Sequence, residues 1–150
     1  MIATRPAVAA DGGFLEATFL VSLRQSITAA RGAWNDVRER AQFYEQLELE
    51  HTRIVESDGI AVGFVMVWPS GSDLELHTIC ILPQHQAQGI GAETIRLVVQ
   101  SAAAGNLGIV LSVLKANGRA RLFFERHGFV QIGESAYHYQ FRHVGISLAA

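Results

Sequence analysis

The sequence predicts an α/β (α+β) fold: one mixed layer structure with a central sheet of about six or seven strands and about four helices. Three observations predict it. Strand and helix periodicities succeed one another in the order β-α-α-β-β-β-α-β-α-β-β. A three-strand meander in mid-chain is punctuated by Ser57-Asp58-Gly59 and Pro69-Ser70-Gly71-Ser72. Ile109 to Leu114 is almost wholly apolar, as a strand covered on both faces is. At 150 residues the chain fits a single domain over 1–150. A chain of that size buries roughly 70% of its extended surface and needs no disulfide or metal to hold a core.

Taken in order, Ile2 to Arg5 reads as a short strand closed by Pro6. Asp11 caps a helix to about Ala29, with Phe14, Leu15, Thr18, Phe19 and Ser22 at helical spacing, and Gly32 breaks it. A second helix runs from about Trp34 to Glu50. Trp34, Val37, Ala41, Tyr44 and Leu47 or Glu48 make its inner stripe, and Asp36, Glu39, Glu45, Glu48 and Glu50 an acid-rich outer face. Thr52–Glu56, Ile60–Trp68 and Asp73–Leu82 are the meander strands. In the third, Leu74, Leu76, Thr78 and Cys80 alternate against Glu75, His77, Ile79 and Ile81. Gly89 to about Ala104 is a helix with Ile90, Ile95, Val98, Val99 and Ala102 inward, stopped by Gly105-Asn106. After the apolar strand, Asn117 caps a helix to about His127, ended by Gly128. Phe129–Gly133 and Tyr137–His143 are the last strands. The core therefore covers 2–143, and 144–150 is an unanchored tail.

Composition excludes several classes. Hydrophobic residues make up 49% and charged residues 17%, too apolar for disorder and too polar for a membrane protein. Net charge is −2, and Lys115 is the only lysine, which argues against a nucleic-acid partner. One cysteine, Cys80, excludes a disulfide framework and a multi-Cys zinc site. Six His without metal-ligand spacing imply no metal. No apolar run approaches the ~20 residues that span a bilayer, and no signal peptide is visible, so no membrane partner and a cytoplasmic location are expected.

The chemistry lies in Ile79 to Ala92. A strand stops at Pro83, a polar loop follows, and Gly89 and Gly91 open a helix. First-turn amides lack intrahelical acceptors and sit at the positive end of the helix dipole, so this segment builds an anion cradle. A mononucleotide P-loop needs Gly-Lys-Ser/Thr, but Ala92 follows Gly91. A dinucleotide site needs a third glycine where Thr94 stands, and an acid in the strand Ile109–Leu114, which has none. The pyrophosphate of coenzyme A is the remaining class.

Gln86-x-x-Gly89-x-Gly91 resembles the Gln/Arg-x-x-Gly-x-Gly/Ala signature of the GNAT superfamily, the acyl-CoA-dependent N-acyltransferases. A second block, Asn117 to Phe129, is similar to that family's Asn-x-x-Ala-x-x-Leu/Phe-Tyr-x-x-x-Gly-Phe segment. The resemblance spans about Ile60 to Tyr139. It implies a GNAT-like single domain in which backbone amides of Gln86, Ala87, Gln88, Gly89, Ile90, Gly91 and Ala92 hold the diphosphate of acetyl-CoA. It also implies that the strands Asp73–Leu82 and Ile109–Leu114 splay apart, with pantetheine pairing to Ile79, Cys80 and Ile81. Asn117 matches the position that reaches the pantetheine or the sulfur. Arg119 or Arg121 would meet the nucleotide phosphate, or be plain solvated charge.

The implied reaction is direct attack of a neutral primary amine on the acetyl carbonyl, through a tetrahedral intermediate, with CoA thiolate leaving. An alkylamine near pKa 10 needs a base. Histone-type members carry a Glu base eleven residues before the motif's Gln, which here is Glu75. His77 is the second candidate, on the same strand face by alternation. The chain departs from the family at Phe124, where many members place a Tyr that protonates the thiolate. A thiol near pKa 8.5 leaves without a dedicated acid, or Tyr137, Tyr139 or water donates. His138 borders the acceptor cleft by the same resemblance. Cys80 is expected to pack as a small hydrophobe, with a covalent acyl carrier as the lesser alternative. A small-molecule amine is the expected acceptor, because no groove for a polymer is evident. The alternatives are a protein N-terminal or lysine acetyltransferase, or a silent CoA-binding module. The resemblance is also compatible with a homodimer.

Overall fold

The computed structural model describes residues 1–31 and 35–143, the side chains of residues 23, 25–31 and 36 excepted. The elements are β1 (Ile2–Pro6), α1 (Gly12–Arg31), α2 (Asp36–Gln46), β2 (Thr52–Ser57), β3 (Ile60–Ser70), β4 (Asp73–Ile81), α3 (Ile90–Ala104), β5 (Gly108–Leu114), α4 (Gly118–Arg126), β6 (Val130–Glu134) and β7 (His138–His143). Short 3-10 segments occupy Ala9–Asp11, Leu49–His51 and Pro83–His85. The mixed α/β class and the element order are those the periodicities predict. Gly32, Trp34 and the tail from Val144 lie outside the described residues.

Seven strands form one sheet in the order β1-β2-β3-β4-β5-β7-β6. Neighbours are antiparallel except β4 and β5, which run parallel. Burial of apolar surface fixes a helix layer on each face. Leu15 of α1 and Phe43 of α2 pack with Ile54, Phe64, Met66 and Cys80. On the other face Ile90, Ile95 and Ala102 of α3 and Phe124 of α4 pack with Val65, Leu111 and Phe141. No helix among the described residues is long and apolar enough to cross a membrane.

Helix α2 corrects the expected stripe. Val37 and Tyr44 are 77% and 48% exposed and Ala41 is exposed too, whereas Phe43 and Glu39 are buried at 3% and 1%. Aromatic packing is the cause. The Phe43 ring lies 4.7 Å from Phe19 and 6.3 Å from Phe64. Turning Phe43 inward instead of Tyr44 rotates the helix by about 100° and carries Glu39, one turn earlier, to the inside. Asn35 caps this helix, its Oδ1 accepting from the Arg38 amide at 3.0 Å.

Asp11 also differs from expectation. It ends the first 3-10 segment, and its carboxylate accepts from the Val8 amide at 2.8 Å and from two Arg5 nitrogens at 2.9 Å each. The guanidinium of Arg5 holds the Asp11 carboxyl down to about 2. A depressed carboxyl stabilises the fold above its unfolded pKa and loses that contribution as pH falls through the folded value. Urea midpoints should therefore decline between about pH 4 and the value near 2. Arg5→Met should flatten that decline, and an unchanged slope would count against the pairing.

Strand β4 carries a bulge. Met66 pairs with Thr78 and Val67 with Leu76, which leaves His77 as the extra residue. The expected alternation therefore changes phase. Leu74, Leu76, Ile79 and Ile81 share the face of α3 and α4, while Cys80 packs on the face of α1 and α2. At the far end of the strand Gly63 lies so close that a Cβ there would stand 2.2 Å from the Cys80 carbonyl oxygen. Gly63→Ala should cost about 3 kcal/mol by overpacking. The melting temperature should drop by about 10 °C. A fall below about 2 °C would mean that the two backbones part easily.

Candidate functional site

The site begins where two strands stop pairing. β4 and β5 share a ladder at only three positions, Asp73↔Gly108, Leu74↔Ile109 and Glu75↔Val110. Beyond it both strands continue but diverge, so Leu76–Ile81 of β4 lack a partner on that side. Two cavities of about 530 and 940 Å³ line the gap. Both are bordered by Ile79, Asn117 and Ala120, which therefore mark their junction.

The larger cavity ends at the loop between β4 and α3. Gln86 braces this loop, its Nε2 donating to the Ile81 carbonyl at 2.9 Å, an oxygen that also accepts from Ser22 Oγ at 3.3 Å. Ala87 and Gly89 hold φ of 61° and 82°. Gly89 is the N-cap of α3, and its carbonyl accepts from the Glu93 amide at 3.0 Å. The first-turn amides of Ile90, Gly91 and Ala92 precede that bond and have no i−4 acceptor within the helix. Ile90 is 4% exposed and anchors the turn in the core, while Gln86 through Gly89 are exposed. One expectation needs correction. The Gln86 amide already donates to the Pro83 carbonyl at 3.2 Å, so the cradle of open amides starts at Ala87 and Gln86 contributes its side chain. Arg119 and Arg126 line this cavity, and no Asp or Glu does among the described residues. Arg121 instead lies 5.7 Å over the Tyr139 ring.

The smaller cavity has the opposite character. Glu39, Glu75, His77 and His138 line it and no Lys or Arg does among the described residues, although Arg38 Nη2 lies 2.8 Å from the Glu39 carboxylate and offsets its charge. Glu75 sits opposite Trp68 in the ladder, and the His77 ring lies 4.3 Å from the Trp68 ring. His77 Nδ1 is 2.8 Å from Thr78 Oγ1. Burial pushes the His77 pKa down, and the Glu75 charge opposes this in part. The imidazole is therefore neutral at pH 7 and able to accept a proton.

The remaining expected residues are placed as follows. Asn117 borders both cavities but spends its Oδ1 capping α4, accepting from the Ala120 amide at 3.0 Å; its amide NH2 is the donor left for a ligand. Phe124 is 6% exposed and packs edge-on to Phe123 and Phe129. Tyr137 and Tyr139 line neither cavity. Cys80 is buried, and burial pushes its thiol pKa up, which removes the thiolate a covalent carrier needs. Glu39, expected on the acid-rich outer face of the second helix, lines the smaller cavity instead. Its signal was the i, i+4 spacing to Phe43, visible only once Phe43 and not Tyr44 is turned inward.

A sheet that parts over a cradle of open amides, with helices on both faces, offers a cleft for an elongated ligand with an anionic end. A family model described as acetyltransferase (GNAT) domain matches residues 48–131, more than half of the chain, and the chain belongs to that family. Solved structures agree in fold. The PaiA N-acetyltransferase from Thermoplasma acidophilum, in complex with coenzyme A, is 14% identical with a TM-score of 0.80, over 96% of this chain and 99% of that one. An acetyltransferase from Thermus thermophilus is 18% identical with a TM-score of 0.71, over 95% and 96%. A GNAT-family acetyltransferase from Bacillus cereus is 16% identical with a TM-score of 0.70, over 97% and 98%. No curated protein matches the chain.

Proposed function

We propose that the chain transfers an acetyl group from acetyl-CoA to the primary amine of a small molecule. One observation carries the reading: two cavities of opposite charge meet at Ile79, Asn117 and Ala120, between strands that have stopped pairing. The basic one, with the amides of Ala87 to Ala92 and the Arg119 and Arg126 side chains, suits the phosphates of CoA. Pantetheine would run along the edge of β4 at Ile79, Cys80 and Ile81, which β5 no longer covers. Asn117 would meet it through its amide NH2, and Phe124 through its ring. The acidic cavity would take the amine.

In this reading Glu75 accepts the amine proton, directly or through one water, as the nitrogen attacks the carbonyl. His77, kept neutral by burial, is the alternative acceptor. A β4 amide would steady the oxyanion of the tetrahedral intermediate, a contribution of roughly 3–4 kcal/mol where single donors have been removed from enzymes. No tyrosine reaches the cleft among the described residues, so the thiolate would leave without a dedicated side-chain acid.

Calorimetry with acetyl-CoA, followed by thiol release with a panel of small amines and amine-bearing peptides, tests this. Amine-dependent thiol from the small molecules is expected. Release with peptides alone would move the acceptor to proteins. Tight binding with no release from any member would favour a silent module. No binding at all would defeat the reading.

A further inference from the structure

We propose that Arg142 and Asp73, joined across Gly108, form a latch that fixes where β4 and β5 part and thereby holds Glu75 in the cleft. They are positioning residues, and what they position rests on the acetyl-transfer reading above. The argument starts from how little joins the two strands. A parallel ladder is the weaker kind, and this one has three positions. Glu75 is the last of them. Its ladder partner Val110 pairs in turn with Arg142 of β7. β3 holds Glu75 on its other side, opposite Trp68, so fraying of this ladder would shift Glu75 relative to β5 and the cleft between the two strands.

Arg142 prevents this by reaching back across β5. Its Nη2 donates to Asp73 Oδ1 at 2.8 Å and its Nε to Oδ2 at 3.4 Å. The Gly108 amide donates to the same Oδ1 at 3.2 Å. One carboxylate of β4 therefore ties β5 through its backbone and β7 through its side chain. The guanidinium passes directly over Gly108. A Cβ there would stand 2.7 Å from Arg142 Nη2 and 2.9 Å from Asp73 Oδ1, so the absent side chain makes the path. With Arg142 37% and Asp73 18% exposed, the pair itself contributes little to stability. A fork that bridges two strands over a third, at the closed end of a reactive cleft, sets geometry more than it adds energy.

The latch also separates two properties of the site. The cradle is anchored at the other end of β4, through Gln86, Ser22 and the Ile81 carbonyl. Loosening the closed end should therefore misplace Glu75 and leave CoA capture intact. Arg142→Met keeps the stem and removes the fork. Its kcat should fall about tenfold, on the scale that small misplacements produce, while the acetyl-CoA Kd stays within about twofold. Gly108→Ala keeps both charges and blocks the path, so it should reproduce the defect. Arg142→Lys should not restore kcat, because an ammonium cannot make the two-point contact. Asp73→Asn, close in shape, serves if another variant folds poorly, and combined with Arg142→Met it should add no further loss.

A second measurement needs no substrate. Amide hydrogen exchange at Leu74, Glu75 and Val110 should quicken about tenfold in Arg142→Met. Unchanged exchange overturns the latch whether or not the chain transfers acetyl groups. Quickened exchange with wild-type kcat overturns the positioning claim. A wild-type chain that captures no acetyl-CoA defeats the functional reading instead, and the exchange result then still decides whether the latch exists.

Discussion

Gly89→Val is expected to abolish acetyl-CoA capture at micromolar concentrations while the chain stays folded. Two effects act in the same place. Gly89 holds φ 82° and ψ 4°, a left-handed conformation that costs an ordinary L-residue about 1–2 kcal/mol and a β-branched one more. Valine would relieve the strain by rotating the peptide planes on both sides, which re-aims the Gly89 and Ile90 amides. Nothing lies within 4 Å of a Cβ at this position, so no protein atom is struck. The same open space is where the diphosphate would have to approach, and two methyl groups would occupy it. Acetyl-CoA Kd should rise about 100-fold or more, equivalent to about 2.7 kcal/mol. Gly89→Ala, with one methyl, should fall between. The melting temperature of the free protein should drop by only a few degrees. Saturating acetyl-CoA, which stabilises the native chain by about 2.7 kcal/mol at 100 times its Kd, should not raise the melting temperature of the valine variant. Equal heats of binding for both chains would show that the cradle does not hold the phosphates.

The loop that turns into α3 at Gly89 was legible because it is local. Pro83, Gly89 and Gly91 are backbone signals, and each acts within a few residues of itself. Strand and helix order was legible for the same reason, since turn residues and periodicity punctuate nearly every junction. What failed to show was phase. Val37, Ala41 and Tyr44 make as regular a stripe as Glu39 and Phe43 do, and only the rings of Phe19 and Phe64, distant in sequence, decide between them. The β4 bulge is similar. His77 carries no compositional mark of being an extra residue, because a bulge is set by the register of β3 against β4. Asp11 shows the competition between two local partners. The Arg5 fork took a carboxylate that was equally suited to capping α1, and that choice depends on where β1 places Arg5.

The bulge bears directly on the base. Glu75→Gln is expected to lower kcat with amines by about 100-fold or more, within the usual effect of a positioned base. Acetyl-CoA Kd should stay unchanged, because the cradle lies at the far end of β4. His77 gives the competing account, and pH separates the two. Its imidazole is held below the ordinary histidine pKa by burial, and the Glu75 charge counters part of that shift. Removing the Glu75 charge lowers the His77 pKa further. If His77 were the base, Glu75→Gln would leave turnover at pH 7 nearly intact, since the imidazole is neutral there in both chains. The acid limb of kcat/KM would then move to lower pH. If Glu75 is the base, the loss persists across the pH range and the shape of the acid limb no longer matters. His77→Asn should then cost less than about tenfold, the imidazole acting only through its stacking on Trp68 and its bond to Thr78. Turnover of Glu75→Gln within about twofold of the native chain would transfer the proton to His77 or to water.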